Sequence, residues 1–313
     1  MMGMAEIRLA IDLAGLKLRN PTMNAAGILG LTAKLLRRVY EEGAGAVVTK
    51  SIGLRPREGH PNPTVVHVEG GLLNAMGLPN PGVEHFLREL RRLKDWDIPV
   101  VASFFGETLE EFVEVASRLS EAGVDALELN CSCPNVEGVG VLGGDPAAVK
   151  RVTEAVKGCV DRPLFVKLSP NVSDIAEVGR AAERGGADGL TAVNTLRAMA
   201  IDVEARRPIL SNVIGGLSGP ALKPVALRCV WELYEAVEIP IIGCGGISTW
   251  RDAVEYLLAG ASALQIGTAI MTRGLRVFRE INMGLRRYME EWGFKEVSEI
   301  VGLAHETRIQ QGR

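Results

Sequence analysis

Two lysines and a set of amides fall where short apolar runs stop. Lys50, followed by Ser51, closes the run in EEGAGAVVTK, Asn130 closes the run in EAGVDALELN, and Asn194-Thr195 closes the run in ERGGADGLTAVN. Lys167 lies within the run Pro163 to Leu168. A lysine at a buried strand end can be a core residue that snorkels its ammonium to water. Two lysines on one rim with amides between them point instead to a site for an anionic ligand. Asn74, Asn130, Asn135 and Asn194 together match a flat ring with alternating C=O and N–H groups, as a pyrimidine presents. Glycines close two further runs, in Gly245-Gly246 and Gly267-Thr268. They read either as simple turns or as a phosphate cradle, because a glycine lets backbone N–H groups approach an anion. A dinucleotide fingerprint would need G-x-G-x-x-G opening a helix with an acidic residue about 20 positions on. No convincing instance is present, so a mononucleotide-sized phosphate ligand fits better.

Asn130 is followed by Cys131-Ser132-Cys133-Pro134-Asn135. C-x-C without a second C-x-x-C or a His pair is a poor zinc signature, and no metal site is expected. A Cys on a loop at a strand end suits a base or nucleophile. Cys159 and Cys229, on helical patterns, read as inert packing residues, and Cys244 as a lining residue. His60, His67, His85 and His305 lie away from the strand ends, so a Ser-His-Asp hydrolase is hard to build.

The elements that must position these groups form a repeat. EEGAGAVVTK, EAGVDALELN, ERGGADGLTAVN and LAGASALQIG each pair a helix end and a glycine with an apolar run too short for a helix. Pro99 to Phe104, Pro163 to Leu168 and Pro240 to Cys244 add similar runs, and Pro21 to Ala26 a weaker one. Helical patterns separate them. Thr108 with Glu111 and Thr249 with Asp252 read as capping boxes, and Phe112, Val115, Ala116 and Leu119 mark one buried helical face. Alternation of this kind predicts parallel strands in a (β/α)8 barrel of the triosephosphate isomerase (TIM) type, with an open doubly wound sheet as the competing layout. One domain spans 1–313, with the first 20 residues an N-terminal hairpin extension across the barrel bottom. A plain barrel needs about 250 residues, leaving roughly 60 for long loops after the second and sixth strands, Ser51 to Gly82 and Thr195 to Gly219. Both leave the C-terminal strand ends, where barrel active sites lie.

The composition is that of an ordinary globular chain. The net charge of −3 carries no basic surplus, so no nucleic-acid partner is expected. No apolar run reaches membrane-spanning length, and the N-terminus lacks the layout of a signal peptide. Five cysteines are too few and too odd for a disulfide scaffold, which points to a reducing cytoplasm.

The motifs NCSCPN (Asn130 to Asn135), VKLSPN (Val166 to Asn171), VNT (Val193 to Thr195), GGLSGPALKPVAL (Gly215 to Leu227), NAMGLPNPG (Asn74 to Gly82) and IPIIGCGGI (Ile239 to Ile247) closely resemble class 1 dihydroorotate dehydrogenases. The resemblance runs from about Leu16 to Met271, and its Leu217 to Pro220 and KLSPN forms look like class 1B. It implies FMN on a (β/α)8 barrel and oxidation of dihydroorotate to orotate in pyrimidine biosynthesis. Cys133 matches the general base. Lys50, Asn74, Ala75, Met76, Gly77, Leu78, Asn130, Asn194 and Thr195 match the substrate set, with Asn135 supporting it. Ala26, Lys50, Ser51, Asn130, Lys167, Val193, Gly219, Gly245, Gly246, Gly267 and Thr268 match FMN contacts. Class 1B further implies a homodimer within a heterotetramer, whose electron-transfer subunit carries FAD and an iron–sulfur (2Fe-2S) cluster and reduces NAD. The alternatives left open are a class 1A-like homodimer using fumarate, a related FMN barrel acting on another dihydropyrimidine, and a flavin-free scaffold subunit. Without a basic amphipathic extension before the barrel, quinone is not expected as direct acceptor. Two places depart from the family pattern: the strand 3 motif Ala102-Ser103-Phe104-Phe105, where many relatives have Asn near Ser103, and Cys131, in place of a usual aliphatic residue.

Overall fold

The computed structural model describes residues 7–131 and 142–306. Eight parallel strands form the central sheet: β1 (Thr22–Asn24), β2 (Val47–Val48), β3 (Val100–Phe104), β4 (Ala126–Asn130), β5 (Leu164–Leu168), β6 (Gly189–Ala192), β7 (Ile241–Cys244) and β8 (Ala261–Ile266). Strands adjacent in sequence are adjacent in the sheet, and β8 returns to pair with β1. The last seam, between β1 and β2, is closed partly by a side chain. Asn24 Nδ2 donates to Val48 O at 2.7 Å, and its Oδ1 accepts from Val48 N at 2.9 Å. The Met23–Ala46 bridge and a bond from Gly45 N to Thr22 O extend that seam. Gly45 is required there, because a Cβ would fall 2.1 Å from Asn20 O. The sheet is therefore a closed (β/α)8 barrel.

Helices α1 (Ala33–Glu41), α2 (Val83–Lys94), α3 (Leu109–Glu121), α4 (Pro146–Lys157), α5 (Ile175–Arg184), α6 (Lys223–Tyr234), α7 (Trp250–Leu258) and α8 (Val277–Trp292) run between and after the strands. A short helix, Thr268–Arg273, separates β8 from α8. Helix α3 buries Phe112, Val115, Ala116 and Leu119, the face its spacing predicts. Its cap is looser than the capping-box reading. Thr108 accepts from Glu111 N, but the Glu111 carboxylate turns to Glu107 N, one residue further out. At α7 the reciprocal box between Thr249 and Asp252 is complete.

Inside the barrel, strand alternation sorts residues into layers. Met23, Ala46, Val48, Val101, Ala126, Phe165, Ile242 and Ala263 form the apolar lower layer. Leu13, Leu16 and Leu18 join it from an antiparallel hairpin, Ile11–Leu13 with Leu16–Leu18. The hairpin turns at Ala14 and Gly15, both with positive φ, and Asp12 Oδ1 accepts from Gly15 N at 2.7 Å. A two-residue turn with both φ positive matches the right-handed strand twist. The hairpin thus packs apolar side chains on the end of the barrel opposite the strands' C-termini.

The spare residues are not plain loops. Val65–Val68 and Gly71–Asn74, after β2, pair with Gly215–Ser218 and Leu196–Ala198, after β6, in one antiparallel sheet. These strands are short and glycine-rich, so their alternation is too brief to read without the partner. No helix among the described residues is long and apolar enough to cross a membrane.

Replacing Asn24 with Ala leaves the buried N–H and C=O of Val48 without their partner at the barrel seam. A stability loss of about 1–3 kcal/mol for each group is expected. Urea unfolding of both proteins reads it, and coincident midpoints would show that the seam does not depend on this side chain.

Candidate active site

Two residues beyond the apolar layer, the same alternation turns polar groups inward. Val101 is followed by Ser103, Ala126 by Glu128 and then Asn130, Phe165 by Lys167, Ile242 by Cys244, and Ala263 by Gln265. All are buried. With β5 pairing to β4 on one side and β6 on the other, Lys167 stands level with Asn130 and Thr191.

The upper edge of this layer is a chain of hydrogen bonds across the mouth. Asn194 Nδ2 donates to Asn130 Oδ1 at 3.2 Å, Asn130 Nδ2 donates to Ser51 Oγ at 3.2 Å, and Ser51 Oγ meets Ser103 Oγ at 2.9 Å. It links the ends of β6, β4, β2 and β3. Ser103 is the partner of Ser51 in this chain. Cys131 packs in the outer apolar cluster, as an aliphatic residue would.

Lys50 is 7% exposed, and among the described residues its ammonium meets no carboxylate. Burial lowers its pKa. A buried cation without an anion is costly, so this position suits an anionic ligand. Lys167 is 4% exposed and differs. Burial pulls its pKa down, but Cys244 and Glu128 beside it push it up, and the upward direction prevails. Its Nζ donates to Gln265 Oε1 at 2.8 Å. Burial raises the Cys244 thiol, which keeps it uncharged near neutrality.

The glycine ends of β7 and β8 adjoin the loop after β6. A Cβ on Gly246 would lie 2.9 Å from Gly219 O, and one on Gly219 would lie 2.8 Å from Gly71 Cα. These backbones pack so closely that no side chain fits. At Gly267 a Cβ would meet only Ala25 Cβ among the described residues, at 3.5 Å, so this backbone is not crowded. Thr268 Oγ1 donates to Ser218 Oγ at 2.9 Å, tying the end of β8 to the covering sheet. A buried lysine beside a glycine rim fits a phosphate-bearing cofactor. Val193 is buried and its N–H donates to Cys244 O at 2.7 Å, while Ala26 packs against the inner apolar cluster.

The covering sheet carries the remaining positions. Asn74 ends its strand opposite Gly216 and donates to Gly216 O at 3.2 Å. Thr195 packs against the same glycine, where a Cβ would fall 2.0 Å from its Oγ1. Ala75 is buried, Gly77 and Leu78 are half-buried, and Met76 is exposed. Asn80 holds this turn in place: its Oδ1 accepts from Gly53 N and Gly82 N, and its Nδ2 donates to Leu78 O. His60 packs against Gly77, a contact its sequence position did not suggest. Cys133 and Asn135 lie outside the described residues. Cys229 is buried on α6, its thiol pushed up by burial to about 11. Cys159 lies just beyond α4 rather than on it, half-buried.

Sequence reasoning missed Glu128, Thr191 and Gln265. Their signal was present, since a Glu two residues before Asn130 on a buried strand must share its inward face. No cluster of His, Cys, Asp or Glu that could hold a metal occurs among the described residues.

Comparison with known proteins agrees with this arrangement. The family model described as dihydroorotate dehydrogenase matches residues 8–289. The chain is 56% identical over 297 residues to a Pyrococcus abyssi protein named dihydroorotate dehydrogenase B (NAD(+)), catalytic subunit, covering 95% of this chain and 99% of that one. Proteins of the same name from Thermococcus kodakarensis (55% identical, 97% of this chain and 100% of that one) and Methanosarcina mazei (53% identical, 95% and 96%) match similarly. Matched from the bottom hairpin into α8, and more than half identical to these archaeal proteins along nearly their whole length, the chain belongs to the dihydroorotate dehydrogenase family.

Proposed function

We propose that this chain is the FMN-carrying catalytic subunit of a class 1B dihydroorotate dehydrogenase, oxidising (S)-dihydroorotate to orotate in pyrimidine (UMP) biosynthesis. The family is one of flavin-dependent oxidoreductases. The observation that carries the reading is the pair of buried lysines at a mouth lined with amides, Lys50 without an anion and Lys167 within a polar network. Lys50, Ser51, Asn130, Lys167, Val193, Gly219, Gly245, Gly246, Gly267, Thr268 and Ala26 would hold FMN, the glycines making room for its phosphate. When bound, FMN supplies the hydride acceptor.

The chain's own residues then have separable tasks. Asn74, Asn130 and Asn194 present donors and acceptors to the substrate's amide and imide groups, with Asn135 in support. Lys50 answers the substrate carboxylate. The Ala75 to Leu78 turn and Thr195 enclose the ring and exclude water. Cys133 takes the proton from ring carbon 5 as hydride leaves carbon 6. A free thiol has a pKa of about 8.5, so a small thiolate fraction is available near neutrality. The relatives' name includes "catalytic subunit", which supports a partner subunit for this chain too. We place FAD and a 2Fe-2S cluster on that partner, with NAD as final acceptor, in a heterotetramer built on a homodimer of this chain. The assembly would work in the cytoplasm.

An anaerobic visible spectrum of the purified chain, before and after dihydroorotate, tests the reading. A flavin band that bleaches is expected. A band that persists with dihydroorotate but bleaches with another dihydropyrimidine would move the substrate, and a chain that takes up no FMN would overturn the reading.

Cys133→Ala is expected to slow flavin reduction by about 10²–10⁴-fold with FMN still bound. In the wild type, the reduction rate should rise with pH until the thiol is ionised. Wild-type rates in the variant, or a flat profile from neutral to alkaline pH, would remove the thiol base.

Lys50 gives a prediction for the ligand-free chain. Its folded-state pKa lies below the unfolded value of about 10.4, so between the two the unfolded state binds more protons and stability rises with pH. Lys50→Met, which never pays this cost, is expected to be more stable than wild type at neutral pH, by a margin that shrinks as pH approaches 10. Paired urea titrations across that range measure it, and a constant margin would contradict the burial argument.

A further inference from the structure

One buried group in the polar layer has no task in the proposed chemistry. Glu128, in the middle of β4, is 0% exposed. Its Oε2 accepts from Thr191 Oγ1 at 3.0 Å and from Gln265 Nε2. Its Oε1 accepts no hydrogen bond among the described residues and lies 3.7 Å from Lys167 Nζ. Gln265 bridges the two groups, donating to Glu128 and accepting from Lys167 at 2.8 Å. Two donors on one carboxylate oxygen and an ammonium facing the other describe a glutamate set to hold negative charge.

The other polar groups at this end of the barrel do not supply that negative charge. Cys244, on β7, also favours the ammonium, as an acceptor from Lys167, but burial raises its thiol, so near neutrality it brings no full negative charge. Gln265, on β8, is uncharged. Tyr256, behind β7, donates its hydroxyl to Gly245 O at 2.6 Å and is held neutral by burial well above its ordinary range. Lys50, at the end of β2, is itself a cation and supplies none. A lysine buried among neutral groups loses its proton, with pKa values down by as much as 3–5 units.

We propose that Glu128 is a positioning residue that acts through Lys167. By its charge and through the Gln265 bridge it keeps the Lys167 ammonium protonated and fixed inside the barrel mouth, and so sets the affinity and redox potential of the bound flavin. The inference rests on the reading of Lys167 as a flavin contact. Without the carboxylate, burial wins and Lys167 titrates within the working pH range. Binding FMN, and holding the negative charge that reduction places on it, then costs progressively more as pH rises.

The test is a pH series, from 6 to 10, of FMN dissociation constants for the apoprotein, with midpoint potentials of the bound flavin. Wild type, Glu128→Gln, Lys167→Met and the double variant are compared. Relative to wild type, Glu128→Gln is expected to weaken FMN binding by at least about tenfold more at pH 9 than at pH 6, with a potential that falls more steeply with pH. In the Lys167→Met background the Glu128→Gln effect should vanish, which a merely structural role would not produce. A Glu128→Gln profile parallel to wild type, or an equal effect in both backgrounds, would overturn the pairing while leaving Lys167 as a flavin contact. Unchanged FMN affinity and potential in Lys167→Met would instead overturn the flavin-contact reading, and the inference with it. If Glu128→Gln does not fold, Gln265→Met removes the bridge and should shift the profile in the same direction. Coincidence of that profile with wild type would count against the proposal.

Discussion

A closed barrel offers no bulk water to a charge pointing into it, and most of this site follows from that constraint. Each inward strand position must be apolar or must find its polar partners within the barrel. Below, the sequence takes the first course with Met23, Val48, Val101, Phe165 and Ile242, and the bottom hairpin adds Leu13, Leu16 and Leu18. Above, it takes the second. Glu128, Thr191, Gln265 and Lys167 bond or pair with one another, and Ser103, Ser51, Asn130 and Asn194 form a hydrogen-bonded chain over them. Lys50 is the exception, a buried cation with no carboxylate among the described residues. Exceptions of this kind mark the place where a ligand supplies what the fold withholds.

The covering sheet solves a second problem. The proposed substrate and cofactor contacts come from loops far apart in sequence, yet must hold a fixed geometry. Pairing Gly71–Asn74 with Gly215–Ser218 makes the loops after β2 and β6 one object. Asn74 and Thr195 then pack on the same residue, Gly216, and Thr268 fastens that object to the end of β8. Glycine at 71, 216 and 219 is what permits so close an approach.

Much of this was legible in the sequence, for definable reasons. The repeat of helix end, glycine and short apolar run gave the barrel, since parallel strands buried on both faces leave a run of one character. Lys50, Asn130 and Asn194 stood out because they close such runs, and Lys167 because it lies one residue from the end of its own. Glu128 escaped notice because it sits inside its run rather than at its end, and Gln265 likewise. The covering sheet was illegible because its strands of three or four residues carry too little alternation, and each finds its partner up to about 140 positions away. The closure of β1 on β2 through Asn24 was equally hidden, since an Asn in a weak strand gives no sign that its amide replaces a backbone ladder.

The cysteines show why residue type alone decides little. Cys244 lies beside Lys167, where a cation would favour a thiolate, yet burial outweighs it and the thiol stays protonated. Cys229 is also pushed above the ordinary range, to about 11, within the packing of α6. Cys131 fills an aliphatic position in the outer core, and Cys159 donates to Val156 O at 3.0 Å just past α4. Packing or hydrogen bonding accounts for each of these four, and desolvation makes two of them poorer bases than a free thiol. A base that works near neutrality needs the opposite surroundings, a thiol with access to solvent or substrate and with no apolar wall to hold its proton on. The four described cysteines do not meet that requirement, and Cys133, which lies outside the described residues, is proposed for the proton abstraction on its match to the family's base.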